Sequence, residues 1–394
     1  MKVNKPIIIT AVTTALVTCL LTNTVRDALY INDNAKIMRK LSAVVRVIKD
    51  YSIYEPEDDT LSDMAASALA LAVDDPYTRY FSKDMYRQYV DSTSSSYFGI
   101  GIVLQSDYET GVVTVSECTE DGPSAREGVE PGDILLGVDD MECNATVVND
   151  VISYIKSREA GTSVVLHLER EGERLDVSVP LETIQSVMVT GQMLDGETAY
   201  IKIDNFESSS DSEARTAYDD FMDSVNMLRD SGMTQMVIDL RDNPGGDLNV
   251  VCRIADEFLT EGVITYTEDK NGKQEYIYAM DGGMDYPVAI ITNGNSASAS
   301  EVLTGALKDN GKAIVVGETT YGKGVVQRPF ALADGSGVTV TIARYFTPSG
   351  VCIHGVGIEP DVLCSLPEGT TPADYTVDND PQIAKAVEVL YQQR

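Results

Sequence analysis

An uncharged run from Pro6 to Val25 lies between Lys2 and Lys5 on one side and Arg26-Asp27 on the other. A bilayer core needs about 20 such residues, so the run predicts a membrane helix, and the flanking lysines put its N-terminal end in the cytoplasm. Its end, Leu20-Leu-Thr-Asn-Thr-Val25, lacks a small-residue cleavage site. An uncleaved anchor is therefore the expectation, with a cleaved signal and secretion as the alternative. Beyond it, Ile37, Leu41, Val44, Val45 and Ile48 recur at helical spacing in Ala35 to Asp50, and Leu61 to Val73 is an Ala/Leu-rich helix. Ser92 to Ser96 reads as a linker. From Tyr97 to Thr183 the period shortens to that of strands: Gly99–Gln105, Gly111–Ser116, Ile134–Val138, Ser163–Glu169 and Arg174–Pro180, with helices at Ser124–Glu127 and Thr146–Ser157. From Gln185 onward strands alternate with amphipathic helices: Thr198–Ile203, helix 211–230, Gln235–Leu240, helix 249–259, Val288–Thr292, helix 300–310 and Ala313–Gly317. That order implies a largely parallel sheet. Asp380 to Tyr391 closes the pattern with a helix that has Pro in its first turn.

The expected divisions are 1–25 anchor, 26–95 helical region and linker, 96–183 β-rich domain with two helices, 184–370 α/β core with decorating β segments, and 371–394 C-terminal helix. Such a chain is α/β and α+β multidomain. Thirty basic against 62 acidic residues give a net charge of −32, which excludes nucleic acid and anionic lipid surfaces as partners and suits a soluble ectodomain. Of the six cysteines, Cys19 lies in the apolar run and the other five show no regular spacing. They read mainly as buried apolar residues, with Cys352–Cys364 the one pairing to consider. No Cys-x-x-Cys or His cluster suggests a metal, and no cofactor is expected.

The chemistry concentrates in Asn293-Gly-Asn-Ser-Ala-Ser298-Ala-Ser-Glu301 and Gly322-Lys323-Gly-Val-Val-Gln327. Ser298 falls where a strand hands the chain to a helix N-terminus, so backbone N–H groups and the helix dipole can stabilise an oxyanion beside its hydroxyl. Serine needs a base. His167 sits in a strand of another domain and His354 in a Gly-rich stretch, and a lone histidine is usually structural. Lys323, flanked by glycines that let other backbone pack closely, can serve if held neutral, and Gln327 can hold its amine by a hydrogen bond. Gly317 to Lys323 imitates a phosphate loop, but Gly324 stands where Ser or Thr should bind magnesium and a strand follows instead of a helix. Ser153-Tyr-Ile-Lys156 has the Ser-x-x-Lys spacing yet reads as a solvated helix face. Asp239-Leu-Arg-Asp-Asn-Pro-Gly-Gly246 ends a buried strand in a tight turn, at the end of the sheet where ligands bind in open α/β folds.

Three motifs in this order, Val237 to Gly246, Ser296 to Glu301 and Val316 to Gln327, resemble those of the C-terminal processing peptidases, or tail-specific proteases, which are Ser-Lys endopeptidases with a PDZ domain. The likeness runs from about Asp74 to the C-terminus. It implies a peptidase core of crotonase-like layering, Ser298 as nucleophile, Lys323 as general base and Gln327 as its positioner. It also implies an oxyanion hole from the amide of Ala299 with that of Gly245 or Gly246. The strand domain resembles a PDZ domain, whose loop Phe98-Gly99-Ile100-Gly101-Ile102 would receive a substrate's C-terminal carboxylate, in a register of either Tyr97–Ile100 or Gly99–Ile102. The implied protein is a membrane-anchored, extracytoplasmic endopeptidase acting on protein tails, which either deliver substrate or relieve a PDZ block. Residues 26–95 either space it from the membrane or pair it with a second copy. A catalytically silent PDZ scaffold on the same fold is the alternative.

Overall fold

The computed structural model describes residues 34–92, 96–119, 121–159, 161–185, 187–208, 215–280 and 282–392. The expected anchor, 1–25, lies outside them; among the described residues no helix is long and apolar enough to cross a membrane. The chain forms two compact units, one comprising residues up to Asp84 together with Pro329–Val340. In this unit helices α1 (Ala35–Tyr51) and α2 (Asp58–Leu71) precede strand β1 (Arg79–Phe81), which pairs antiparallel with residues 337–339. The Tyr80 hydroxyl donates to Asp63 at 2.6 Å, tying β1 to α2. No residue of α1 is buried, and its apolar stripe, including Ile37, Val44 and Val45, stays open.

Helix α3 (Lys83–Ser92) leads to the β-rich domain: β2 (Ser96–Gly99), β3 (Ile102–Ser106), β4 (Val113–Cys118), α4 (Pro123–Arg126), β5 (Ile134–Val138), β6 (Met141–Glu142), α5 (Val148–Lys156), β7 (Ser163–Arg170), β8 (Glu173–Pro180) and β9 (Glu182–Gln185). The sheet order is β3-β4-β5-β7-β8, with β6 on β5, while β2 pairs with β9. Val164, Leu166 and Leu168 point inward at the two-residue period of a strand and pack with Val115, Leu135 and Val151 in a core of their own. Buried Asp133 is held by Arg170 at 2.6 Å, and this bond keeps its carboxyl below the ordinary aspartate value.

The α/β core contains β10 (Val189–Met193), β11 (Thr198–Ile203), α6 (Ala217–Asp230), β12 (Gln235–Asp239), α7 (Leu248–Asp256), β13 (Val263–Asp269), β14 (Gln274–Tyr278), β15 (Val288–Thr292), α8 (Ala299–Asp309), β16 (Ala313–Gly317), β17 (Val325–Ala331), β18 (Gly337–Phe346), β19 (Val362–Leu363) and α9 (Pro381–Gln392). Its main sheet runs β10-β11-β12-β15-β16-β19 and is parallel except for β10 against β11. Every residue of β12 and β15 is buried, as a sheet covered on both faces requires. One face packs on α6, α7 and α8 through Phe221, Ile254 and Leu303; the other packs on α9 through Ile383, Ala386 and Leu390. The hairpin β13–β14 was not anticipated, although Asn271-Gly272 at its turn, with Gly272 at φ +77°, is the hairpin signal. The described cysteines are all free, Cys352 and Cys364 included, and among them only Cys252 is buried while the other four are half-buried, which corrects the reading of them as mainly buried apolar residues. Burial lifts the Cys252 thiol to about 12.

Candidate active site

Strand β15 delivers the chain to a turn knitted by Ser296, whose hydroxyl donates to the Leu240 carbonyl at 2.8 Å and accepts the Asn293 N–H at 3.0 Å. Ser298 follows as the N-cap of α8 with φ 57° and ψ −112°. A non-glycine residue rarely adopts that conformation, and it is held by its surroundings at a local cost of about 1–3 kcal/mol. Gly245 supplies one wall: a Cβ there would lie 2.8 Å from the Ser298 Cβ and 3.0 Å from the Ala299 nitrogen. Asn243 locks this wall in place. Its side chain accepts the Gly245 N–H at 2.8 Å and donates to the Ile203 carbonyl at 2.8 Å, while its own carbonyl accepts the Ala297 N–H and the Ser300 hydroxyl, each at 3.0 Å.

The N–H of Gly245 is thus spent on Asn243. Gly246 differs. Its φ of +147° and the backbone of Phe206 pressed against its α-carbon admit no side chain, yet among the described residues its N–H meets no protein acceptor. The same holds for the N–H of Ala299, at the first position of α8.

The glycines on either side of Lys323 permit close approach by the loop 353–357. A Cβ on Gly322 would lie 3.0 Å from the Gly357 nitrogen, and one on Gly324 would strike the backbone of His354. The Gly355 N–H donates to the Gly322 carbonyl at 2.8 Å. Lys323 is half-buried behind this loop, whereas the His354 side chain is exposed. Gln327 lies on β17 and donates its amide N–H to the Val325 carbonyl at 3.2 Å.

Sequence reasoning missed Glu301. Its fully buried carboxylate accepts the Ser298 N–H at 2.9 Å and the Lys323 N–H at 2.8 Å on Oε2, and the Gly322 N–H at 2.7 Å and the Thr320 hydroxyl at 2.6 Å on Oε1. One oxygen therefore joins the backbones of Ser298 and Lys323. The Ser-x-x-Glu spacing of a capping box, Ser298 to Glu301, was the available signal.

Below the site, Arg241 is 3% exposed and bonds Asp239 at 2.6 Å and Asp380 at 2.7 Å, and it also donates to Gln382 at 2.8 Å. Burial opposes its charge, but the bonds to the two carboxylates prevail and hold the guanidinium above its ordinary value. In the β-rich domain, residues 96–99 pair with β9 and edge strand β3 begins at Ile102, so Ile100 and Gly101 form the loop between them. Ile100 is buried, Gly101 has φ +75°, and neither N–H meets an acceptor among the described residues. Ser153 and Lys156 lie on the exposed face of α5, as a solvated helix requires.

A strained serine turn at a helix N-terminus on a parallel sheet, in a chain with a PDZ-like domain, points to a serine peptidase of the α/β class. Residues 197–364 match the model of Peptidase family S41 and residues 96–181 that of the PDZ domain. A probable CtpA-like serine protease of Staphylococcus aureus (strain COL) is 31% identical over 365 residues, spanning 89% of this chain and 71% of the relative. Carboxyl-terminal-processing peptidase 2, chloroplastic, of Arabidopsis thaliana is 33% identical over 314 residues, spanning 76% and 59% of the two chains. A putative S41 protease from Bacteroides fragilis NCTC 9343 shares the fold with a TM-score of 0.55 at 13% identity, covering 87% of this chain and 93% of that one. The chain belongs to peptidase family S41. It is a serine endopeptidase carrying a PDZ domain, which sets aside the silent-scaffold alternative.

Proposed function

We propose that this peptidase captures the C-terminal tails of extracytoplasmic proteins in its PDZ domain and cuts them with Ser298 as nucleophile and Lys323 as general base. Neutral Lys323 takes the Ser298 proton as Oγ attacks the scissile carbonyl, then gives that proton to the departing amine. Water repeats the sequence on the acyl-enzyme. The oxyanion is received by the N–H groups of Ala299 and Gly246, and Gln327 offers its amide oxygen to the lysine amine. The observation that carries this reading is the Ser298 turn itself, strained at a helix N-terminus, with an unspent N–H on Ala299 beside it and another on Gly246, next to the Gly245 that walls it. Gly246 is preferred to Gly245 because the Gly245 N–H already serves Asn243.

The tail carboxylate is received by the N–H groups of Ile100 and Gly101, within the loop Phe98 to Ile102, and the tail pairs along the open edge of β3. The run from Pro6 to Val25 anchors the chain in the cell membrane with the catalytic part outside, or is removed on secretion. The exposed stripe of α1 suits pairing with a second copy. Ser298→Ala is expected to abolish hydrolysis and leave tail binding intact. Amidating the C-terminus of a peptide substrate removes one charge-assisted set of bonds, about 1.5–3 kcal/mol, and should slow its cleavage roughly ten- to a hundredfold. Equal cleavage of amidated and free-acid peptides would remove tail recognition from the proposal.

A further inference from the structure

A capping box asks its glutamate for one bond, to the N–H of the N-cap residue. Glu301 makes that bond and three more, all from Thr320 to Lys323, a segment that belongs to a different part of the chain. Its two oxygens are filled to the acceptor capacity of a carboxylate. Thr320 extends the set, because its hydroxyl donates to Glu301 at 2.6 Å and accepts the Ile358 N–H at 2.7 Å. The helix that carries Ser298, the loop that carries Lys323 and the loop that walls Lys323 thus converge on one carboxylate and one hydroxyl.

We infer that Glu301 and Thr320 are positioning residues that fix the register between nucleophile and base. Neither side chain bonds the reacting atoms: the Glu301 carboxylate and the Thr320 hydroxyl meet backbone N–H groups and each other. The inference rests on the Ser298–Lys323 reading above. Without the carboxylate, three N–H donors and a hydroxyl converge on a point with no acceptor, and their two segments must move apart to reach others. Glutamine does not repair this, since its NH2 end faces N–H groups on whichever side it is placed. A shift of about 1 Å between reacting groups costs on the order of a hundredfold in rate. It falls on kcat, because the substrate's binding contacts lie elsewhere.

The test uses the full chain with Thr320→Val, Thr320→Ser, Glu301→Gln and Ser298→Ala, each assayed for kcat and KM on a cleavable peptide, the three that keep Ser298 after counting competent sites with a fluorophosphonate and Ser298→Ala by protein concentration. Thr320→Val keeps the shape and loses the hydroxyl. It is expected to lower kcat about tenfold, and Glu301→Gln about a hundredfold, with KM within about twofold of the parent. Thr320→Ser should return kcat to near the parent value. Unchanged kcat in Thr320→Val, a loss confined to KM, or a Thr320→Ser variant as slow as Thr320→Val would each overturn the inference. If Glu301→Gln does not fold, the Thr320 pair still decides. Hydrolysis by Ser298→Ala at the parent rate would sink the dyad reading itself, whereas an inactive Ser298→Ala beside an unimpaired Thr320→Val sinks this inference alone.

Discussion

Replacing Arg241 with methionine is expected to destabilise the peptidase core far more than replacing Asp380 with asparagine, although the two residues share one ion pair. The side chains of Arg241, Asp239 and Asp380 are 3%, 1% and 2% exposed, and Tyr200 adds a hydroxyl donor to Asp239 at 2.7 Å. The cluster holds one cation and two carboxylates. Arg241→Met leaves both acids buried with no cation, and stranding a buried charge costs about 3–5 kcal/mol. Asp380→Asn leaves a matched Arg241–Asp239 pair and an amide that can still accept from the guanidinium. Its loss is that of one charge-assisted bond weakened to a neutral one, about 1–2 kcal/mol. Against a total stability of about 5–15 kcal/mol the first change is a large fraction and the second a modest one. Urea unfolding followed by far-UV circular dichroism reads the difference; the chain contains no tryptophan to report instead. Equal losses in the two variants, or a larger one in Asp380→Asn, would show that charge balance does not govern this cluster.

Gly245→Ala should cost about 1–3 kcal/mol in backbone strain at φ +112° and lower kcat about a hundredfold by displacing Ser298, while Gly294→Ala, which meets open space, should leave kcat unchanged. Lys323→Arg should be inactive in peptide hydrolysis, because guanidinium keeps its proton, and the parent's kcat should rise with pH through one base ionisation. His167 bonds Asp176 at 2.6 Å and the Asp139 carbonyl at 2.8 Å, acceptors that raise its pKa. A raised folded value contributes stability that is complete below the ordinary imidazole range and is lost as pH rises through the folded value. Amide exchange across β7 and β8 should therefore separate parent from His167→Gln at mildly acidic pH and converge in alkali; a gap independent of pH would refute the assignment.

The parallel core was legible because β12 and β15 are short, continuous apolar runs between amphipathic helices. The candidate site was legible because Ser298, Lys323 and Gln327 fall within two short segments. What sequence could not supply depends on distant pairings. Arg241 and Asp380 stand 139 positions apart, and no local pattern marks the second as partner of the first. Glu301 reads as an ordinary capping residue until Thr320, Gly322 and Lys323 fold onto it. The proposed preference for Gly246 over Gly245 rests on where the Asn243 side chain points.

The loop that walls Lys323 and the carboxylate that completes the Arg241 cluster both lie downstream of Ser298 and Lys323. A ribosome that has finished Gln327 has already delivered Ser298 and Lys323, but neither residues 353–358 nor Asp380. At that stage Thr320 lacks its Ile358 partner and Arg241 lacks one of its two acids, so the register inferred above would be unformed. Chains arrested short of Ile358 should leave a fluorophosphonate unreacted, and reaction at the full-length rate would contradict this. On the Ser298–Lys323 reading, order of synthesis would act as a safety catch: the chain could not cut while the segments that hold its register were still to be made.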